Sequence, residues 1–106
     1  MKHIGLYFGS FNPIHNTHIS IAQQVLKEPD IDEVVLIVSP QNPFKDERGL
    51  LNEKIRYNMV YDAINGIEGL SVSDIEFYMP RPSYTYMTLK KLEEQNPDTK
   101  YSIIMG

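Results

Sequence analysis

Residues 2–18, KHIGLYFGSFNPIHNTH, decide the fold. Residues 2–8 are short, apolar and rich in aromatic and β-favouring side chains, and they end at Gly9-Ser10. That is the pattern of a buried strand meeting a tight turn. Asn12-Pro13 marks a loop. From Thr17 onward Ile19, Ala22, Val25 and Leu26 recur at three- and four-residue steps, which predicts an amphipathic helix. Its expected cap is Asn16 or Thr17, and it should close before Pro29.

The same alternation of element types continues outward. Residues 32–39 carry the run VVLIV, β-branched and unalternated, as in a strand covered on both faces. Residues 39–49 hold two prolines and mixed charge and read as a loop. Residues 53–64 place Ile55, Met59, Val60, Ala63 and Ile64 at helical spacing, with these Ile and Met positions expected in the core, and Asn65-Gly66 stops the helix. Residues 70–77 alternate as a third strand. Residues 84–94 predict a third helix, with Tyr84, Met87, Leu89 and Leu92 facing inward. Residues 101–105 predict a fourth apolar strand. The order βαβαβαβ favours parallel pairing with right-handed crossovers, hence an α/β fold with a parallel sheet. Three helices would have to cover four strands, and no helix follows the last one. The expectation is therefore one domain over residues 1–106 that forms the amino-terminal part of a longer α/β domain.

Composition narrows the function. Ten Lys plus Arg against fourteen Asp plus Glu give a net charge of -4, which disfavours a broad nucleic-acid-binding face. With no cysteine, thiol nucleophiles, disulfides and Cys-type zinc sites are excluded. The longest apolar run falls far short of the roughly 20 residues of a membrane span. No secretion signal is legible at the N-terminus. The expectation is a cytoplasmic protein that acts on a small molecule, with neither nucleic acid nor membrane as partner. An uncovered final strand leaves room for self-association into a homo-oligomer.

In open α/β sheets ligands bind beyond the carboxyl ends of the strands. Residues 9–17 form the first such loop. Gly9 permits close approach, and backbone N–H groups there and at the next helix start suit phosphate. His15 and His18 lie just before that helix and in its first turn, where imidazole N–H groups can reach phosphate oxygens. No G-x-x-x-x-G-K-[ST] or G-x-G-x-x-G segment is present. A metal pair is the rival reading of the two histidines, but zinc needs about four ligands and only His3 and carboxylates remain. Arg56 and Glu76 read as structural partners.

Gly9-Ser10-Phe11-Asn12-Pro13-Ile14-His15-Asn16-Thr17-His18 resembles the G-[ST]-F-[DN]-P-x-H-x-G-H motif of the HIGH superfamily of adenylyltransferases, whose folds are Rossmann-like. Thr17 stands where that motif has Gly. The segment Ser39-Pro40-Gln41-Asn42-Pro43-Phe44-Lys45, the pair Arg56 and Met59, Glu76, and Pro82-Ser83-Tyr84-Thr85-Tyr86 are similar to bacterial nicotinate-nucleotide adenylyltransferases. The resemblance implies transfer of AMP from ATP to nicotinate mononucleotide, giving deamido-NAD and pyrophosphate, with Mg²⁺ accompanying ATP.

It also implies residue roles. His15, His18 and Lys45 would be catalytic. Gly9, Ser10, Phe11, His15, His18 and Gly106 would bind ATP. Ser10, Phe11, Lys45, Tyr84 and Thr85 would bind the nicotinate nucleotide, and no residue would hold a metal. The family's later triphosphate-binding segment is absent, so little turnover is expected from residues 1–106 alone. Two rivals stay open: an adenylyltransferase for another acceptor, pantetheine phosphate or nicotinamide mononucleotide, and a non-catalytic nucleotide-binding module.

Overall fold

The computed structural model describes residues 1–40, 51–82 and 84–104. Four strands, β1 (Lys2–Gly9), β2 (Glu33–Val38), β3 (Leu70–Ser73) and β4 (Thr99–Ile104), form one sheet in the order β3-β2-β1-β4. All three pairings are parallel, and Tyr7 of β1 sits opposite Leu36 on one side and Ile104 on the other. Helices α1 (Asn16–Leu26), α2 (Glu53–Ile64) and α3 (Thr85–Gln95) form the crossovers. Right-handed connections put α1 and α2 on one face of this strand order and α3 on the other.

The core follows from strand alternation. Val34, Leu36 and Val38 of β2 join Tyr7, Phe11, Ala22, Val60 and Ile64 in one buried cluster. Leu6 and Ile37, one residue out of phase, are also fully buried, so both faces of the central strands are covered. Each fully buried Leu or Ile is worth about 1.5–3 kcal/mol relative to exposure. The outer strands β3 and β4 are only partly buried.

Four expectations need correction. The residue that caps α1 is His15, not Asn16 or Thr17. The third strand stops at Ser73, where the Ser73 hydroxyl accepts the Ile75 N–H at 3.2 Å and a 3₁₀ turn (Ile75–Tyr78) begins. That turn keeps Phe77 against the core but sends Glu76 inward as well, which an extended strand could not do.

On α2 the buried positions are Arg56, Val60 and Ile64, while Ile55 and Met59 are exposed. A shift of one residue turns a helical stripe by about 100°, and the buried guanidinium sets that rotation because its acceptors lie inside. On α3 the buried residue is Thr88, bonded to Glu76, while Tyr84 and Met87 point outward and Leu89 and Leu92 are half-buried. Asn65-Gly66 does end α2, with Gly66 at φ 87°, the left-handed conformation that glycine adopts freely.

Candidate functional site

The carboxyl end of β1 opens onto a cleft of about 390 Å³ lined by Tyr7, Phe8, Gly9, Ser10, Phe11, Asn12, Pro13, His15 and His18. That volume is in the range of small-molecule sites, which run about 300–1,000 Å³. Glycine at position 9 has a reason local to the loop. A Cβ at Gly9 would lie 3.0 Å from the Phe11 ring, tighter than side chains ordinarily pack, so the folded-back ring would have to shift for any larger residue. Phe11 reaches that place with φ 48°, and among the described residues it is the only non-glycine with positive φ. A bulky side chain in the left-handed region costs of order 1–3 kcal/mol, so the surroundings must hold it there. Phe11 lines the cleft but is only 2% exposed, so its ring offers a visitor little surface.

The ring serves His18 instead. Tyr7 packs edge-on against Phe11 at 5.5 Å, and Phe11 packs edge-on against His18 at 5.2 Å. The His15 and His18 rings stack at 5.7 Å with 21° between planes. The two histidines also meet through the backbone, since the His15 N–H donates to His18 Nδ1 at 2.9 Å. This is one half of a capping box, with imidazole in place of the usual carboxylate or amide. A ring nitrogen that accepts carries no proton. Neutral His18 therefore keeps its proton on Nε2 and presents that N–H as a donor. Burial, and secondly the nearby His15, hold the His18 pKa below 6.5. Both effects favour the neutral ring near pH 7.

The loop is tied down from behind. Fully buried Arg56 donates from Nη1 to the Ser10 carbonyl at 2.6 Å and to the Ser39 carbonyl at 2.8 Å, and from Nε to the Leu51 carbonyl at 2.8 Å. The Leu51 N–H donates to Asn12 Oδ1 at 2.9 Å. Ser39 closes the strand ends by donating its N–H to the Gly9 carbonyl at 2.9 Å. Further along, Arg81 Nη2 donates to Glu53 Oε2 at 2.6 Å, joining the loop before α3 to the start of α2.

Of the residues named from sequence, Gly9, Ser10, Phe11, His15 and His18 come together at the cleft. Tyr84 caps α3 and Thr85 opens it, both exposed and neither lining the cleft. Lys45 and Gly106 lie outside the described residues. Thr17 is exposed in the first turn of α1, and its backbone does not demand glycine. Tyr7 and Asn12 were missed. The Asn-Pro signal at Asn12 could have suggested a side chain that bonds backbone, and Tyr7 carried no signal beyond its place in β1.

Residues 6–106 match the cytidylyltransferase-like family. The chain belongs to that family. Two curated relatives, from Flavobacterium johnsoniae and Streptococcus mutans, are each named probable nicotinate-nucleotide adenylyltransferase. Both are 45% identical, over 103 and 105 residues. The matches cover 97% and 99% of this chain but 53% and 50% of the relatives. The chain thus spans about half the length of the curated relatives it matches.

A Vibrio parahaemolyticus structure, assigned by its name to the same activity, superposes with a TM-score of 0.81 at 26% identity, covering 100% of this chain and 58% of that one. The Plasmodium falciparum nicotinic acid mononucleotide adenylyltransferase complexed with NaAD has the same TM-score at 24% identity, over 97% of this chain and 51% of that one, and shows the shared fold. The parallel-sheet α/β architecture expected from the sequence, and the resemblance first carried by residues 9–18, are both borne out.

Proposed function

We propose that the protein carrying this chain transfers AMP from ATP to nicotinate mononucleotide, releasing pyrophosphate and forming deamido-NAD. The observation that carries this reading is the cleft after β1, where His18 holds a donor-bearing Nε2 beside the strained Gly9-Ser10-Phe11 loop. The names of the relatives support the same activity.

The chemistry asks little of side chains. A nucleotide phosphate, with a second pKa of about 6, is largely dianionic at neutral pH and needs no general base. One of its oxygens attacks the α-phosphorus of ATP. The new P–O bond forms as the bond to the β-phosphate oxygen breaks, and pyrophosphate leaves with that electron pair. The protein's work is alignment and stabilisation of negative charge. In this reading the His18 Nε2–H, the His15 ring, the loop amides and the positive end of α1 supply donors to the polyphosphate. Tyr84 and Thr85 at the start of α3 are assigned to the nicotinate end, and Lys45 to phosphate.

Among the described residues no group of three or more His, Asp or Glu could hold a metal. In this reading Mg²⁺ rides on the ATP phosphates, the usual manner of Mg²⁺ with nucleotides, where it would offset phosphate charge. Among the described residues no helix is long and apolar enough to cross a membrane. With soluble nucleotides as substrates, a cytoplasmic location fits the reading.

The test is pyrophosphate release by the whole encoded protein with ATP and each acceptor in turn. Release with nicotinate mononucleotide above that with nicotinamide mononucleotide or pantetheine phosphate supports the assignment. Release only with another acceptor, or with none, refutes it.

A further inference from the structure

We infer that Arg56 is a positioning residue, whose buried guanidinium sets the Ser10–Phe11 peptide of the phosphate loop and couples it to the second strand and to the start of α2. The inference rests on the functional reading above for its effect on turnover, and on geometry for the rest.

Arg56 is fully buried, a costly place for a charge unless its hydrogens are matched. Its fork meets carbonyls from three parts of the chain: Ser10 after β1, Ser39 after β2 and Leu51 before α2. These parts converge on the carboxyl edge of the sheet, where Gly9 and Ser39 are already bonded backbone to backbone. In a trans peptide the C=O and N–H point in opposite directions. Pulling the Ser10 carbonyl onto Arg56 therefore aims the Phe11 N–H away from Arg56. The same bond restrains the residue before Phe11, whose left-handed φ of 48° needs support. Phe11 in turn carries the His18 ring at 5.2 Å. Arg56 thus reaches the reacting groups through Ser10 and Phe11 and touches no substrate. The planar fork is essential, because an ammonium is a point donor on a flexible stem and cannot hold three carbonyls in fixed directions.

The experiment is Arg56→Lys and Arg56→Ala in the whole encoded protein, with steady-state kinetics, thermal melts and amide NMR. Arg56→Lys should melt cooperatively yet lose roughly 100-fold in kcat/KM, the scale of a misplaced reacting geometry. KM for ATP should rise as kcat falls, whereas a mere loss of folded molecules leaves KM unmoved. Added guanidinium ion should restore part of the activity of Arg56→Ala and none to Arg56→Lys. Wild-type kinetics in folded Arg56→Lys would overturn the inference. So would an unchanged KM, or failure of Arg56→Lys to fold, which would make Arg56 a residue of the core alone. If the wild-type protein shows no adenylyl transfer, the functional reading fails separately. The Phe11 amide resonance and ATP affinity then judge Arg56: both should change in Arg56→Lys, and unchanged values would contradict the assignment.

Discussion

The turn after β1 surrounds an open cleft with two imidazoles and a left-handed Phe11, whereas the connection after β3 turns a carboxylate into the protein. In the first, His18 Nδ1 accepts the His15 N–H, which leaves the Nε2–H as the ring's donor, and His18 lines the cleft. In the second, Glu76 is 3% exposed, and Thr88 donates to its Oε2 at 2.7 Å. Burial acts on both groups, and because one is a base and the other an acid it moves them in opposite directions. It lowers the His18 pKa and raises that of Glu76 above 4.5, with the Thr88 bond partly offsetting the latter. The comparison separates a polar group beside an open cleft from one used to fasten a helix.

The largest effect should come from the first region. His18→Ala is expected to lower kcat by roughly 10²–10³, the scale of losing one aimed donor to developing negative charge. Its stability loss should be near 1 kcal/mol, the typical worth of a cap. A variant with normal kcat would remove His18 from the reacting groups. The second region should show the reverse balance. Thr88→Val leaves the buried Glu76 without its hydroxyl donor and is expected to cost about 1–3 kcal/mol in urea denaturation, with KM values unchanged. A shift in KM would mean that the two regions are not separate.

The pH dependence sharpens the contrast. Glu76 has a raised folded pKa, so its stabilising contribution is full below 4.5 and is lost as pH rises through the folded value. Thermal melts of Glu76→Gln, which can still bond Thr88, should therefore lose that decline. His18, with a lowered folded pKa, has the opposite sign. Its neutral form costs nothing above 6.5, and stability falls as pH drops below that, because the unfolded chain takes up a proton first. The low-pH fall should shrink in His18→Gln and persist in Glu76→Gln. Identical melting profiles for the two variants would contradict the opposite signs. The smallest effect is expected at the partly exposed Arg81–Glu53 pair, where Glu53→Gln should cost under about 1 kcal/mol. A larger loss by urea titration would raise that link to the rank of the Arg56 contacts.

The first region was legible in the sequence because its logic is local. Gly9, His15 and His18 fall within ten residues, and strand, turn and helix start are each marked by their own residues. The buried polar positions were not, because their partners are distant. Arg56 reads as a structural partner from the sequence, but its acceptors, the Ser10 and Ser39 carbonyls 46 and 17 residues away, are not legible there. Ile55 and Met59 then look like core by spacing and turn out exposed. Residues 75–77 alternate like a strand, yet Thr88, twelve residues on, draws Glu76 into the interior and a 3₁₀ turn results. Local pattern thus gave the element order and the β1–α1 turn, and long-range hydrogen bonding decided where β3 ends and which faces of α2 and α3 turn inward.

The central claim is that the β1–α1 turn grips a polyphosphate through its amides and the His18 Nε2–H. It is tested most directly by following the Gly9, Ser10 and Phe11 amides and the His15 and His18 ring resonances by NMR while Mg²⁺–ATP is added to the whole encoded protein. The account predicts saturable shifts at these five residues, lost together with ATP binding in the His15→Ala, His18→Ala double variant. Shifts confined to the separate cavity between Tyr57 and Val72, or ATP affinity unchanged in the double variant, would contradict it.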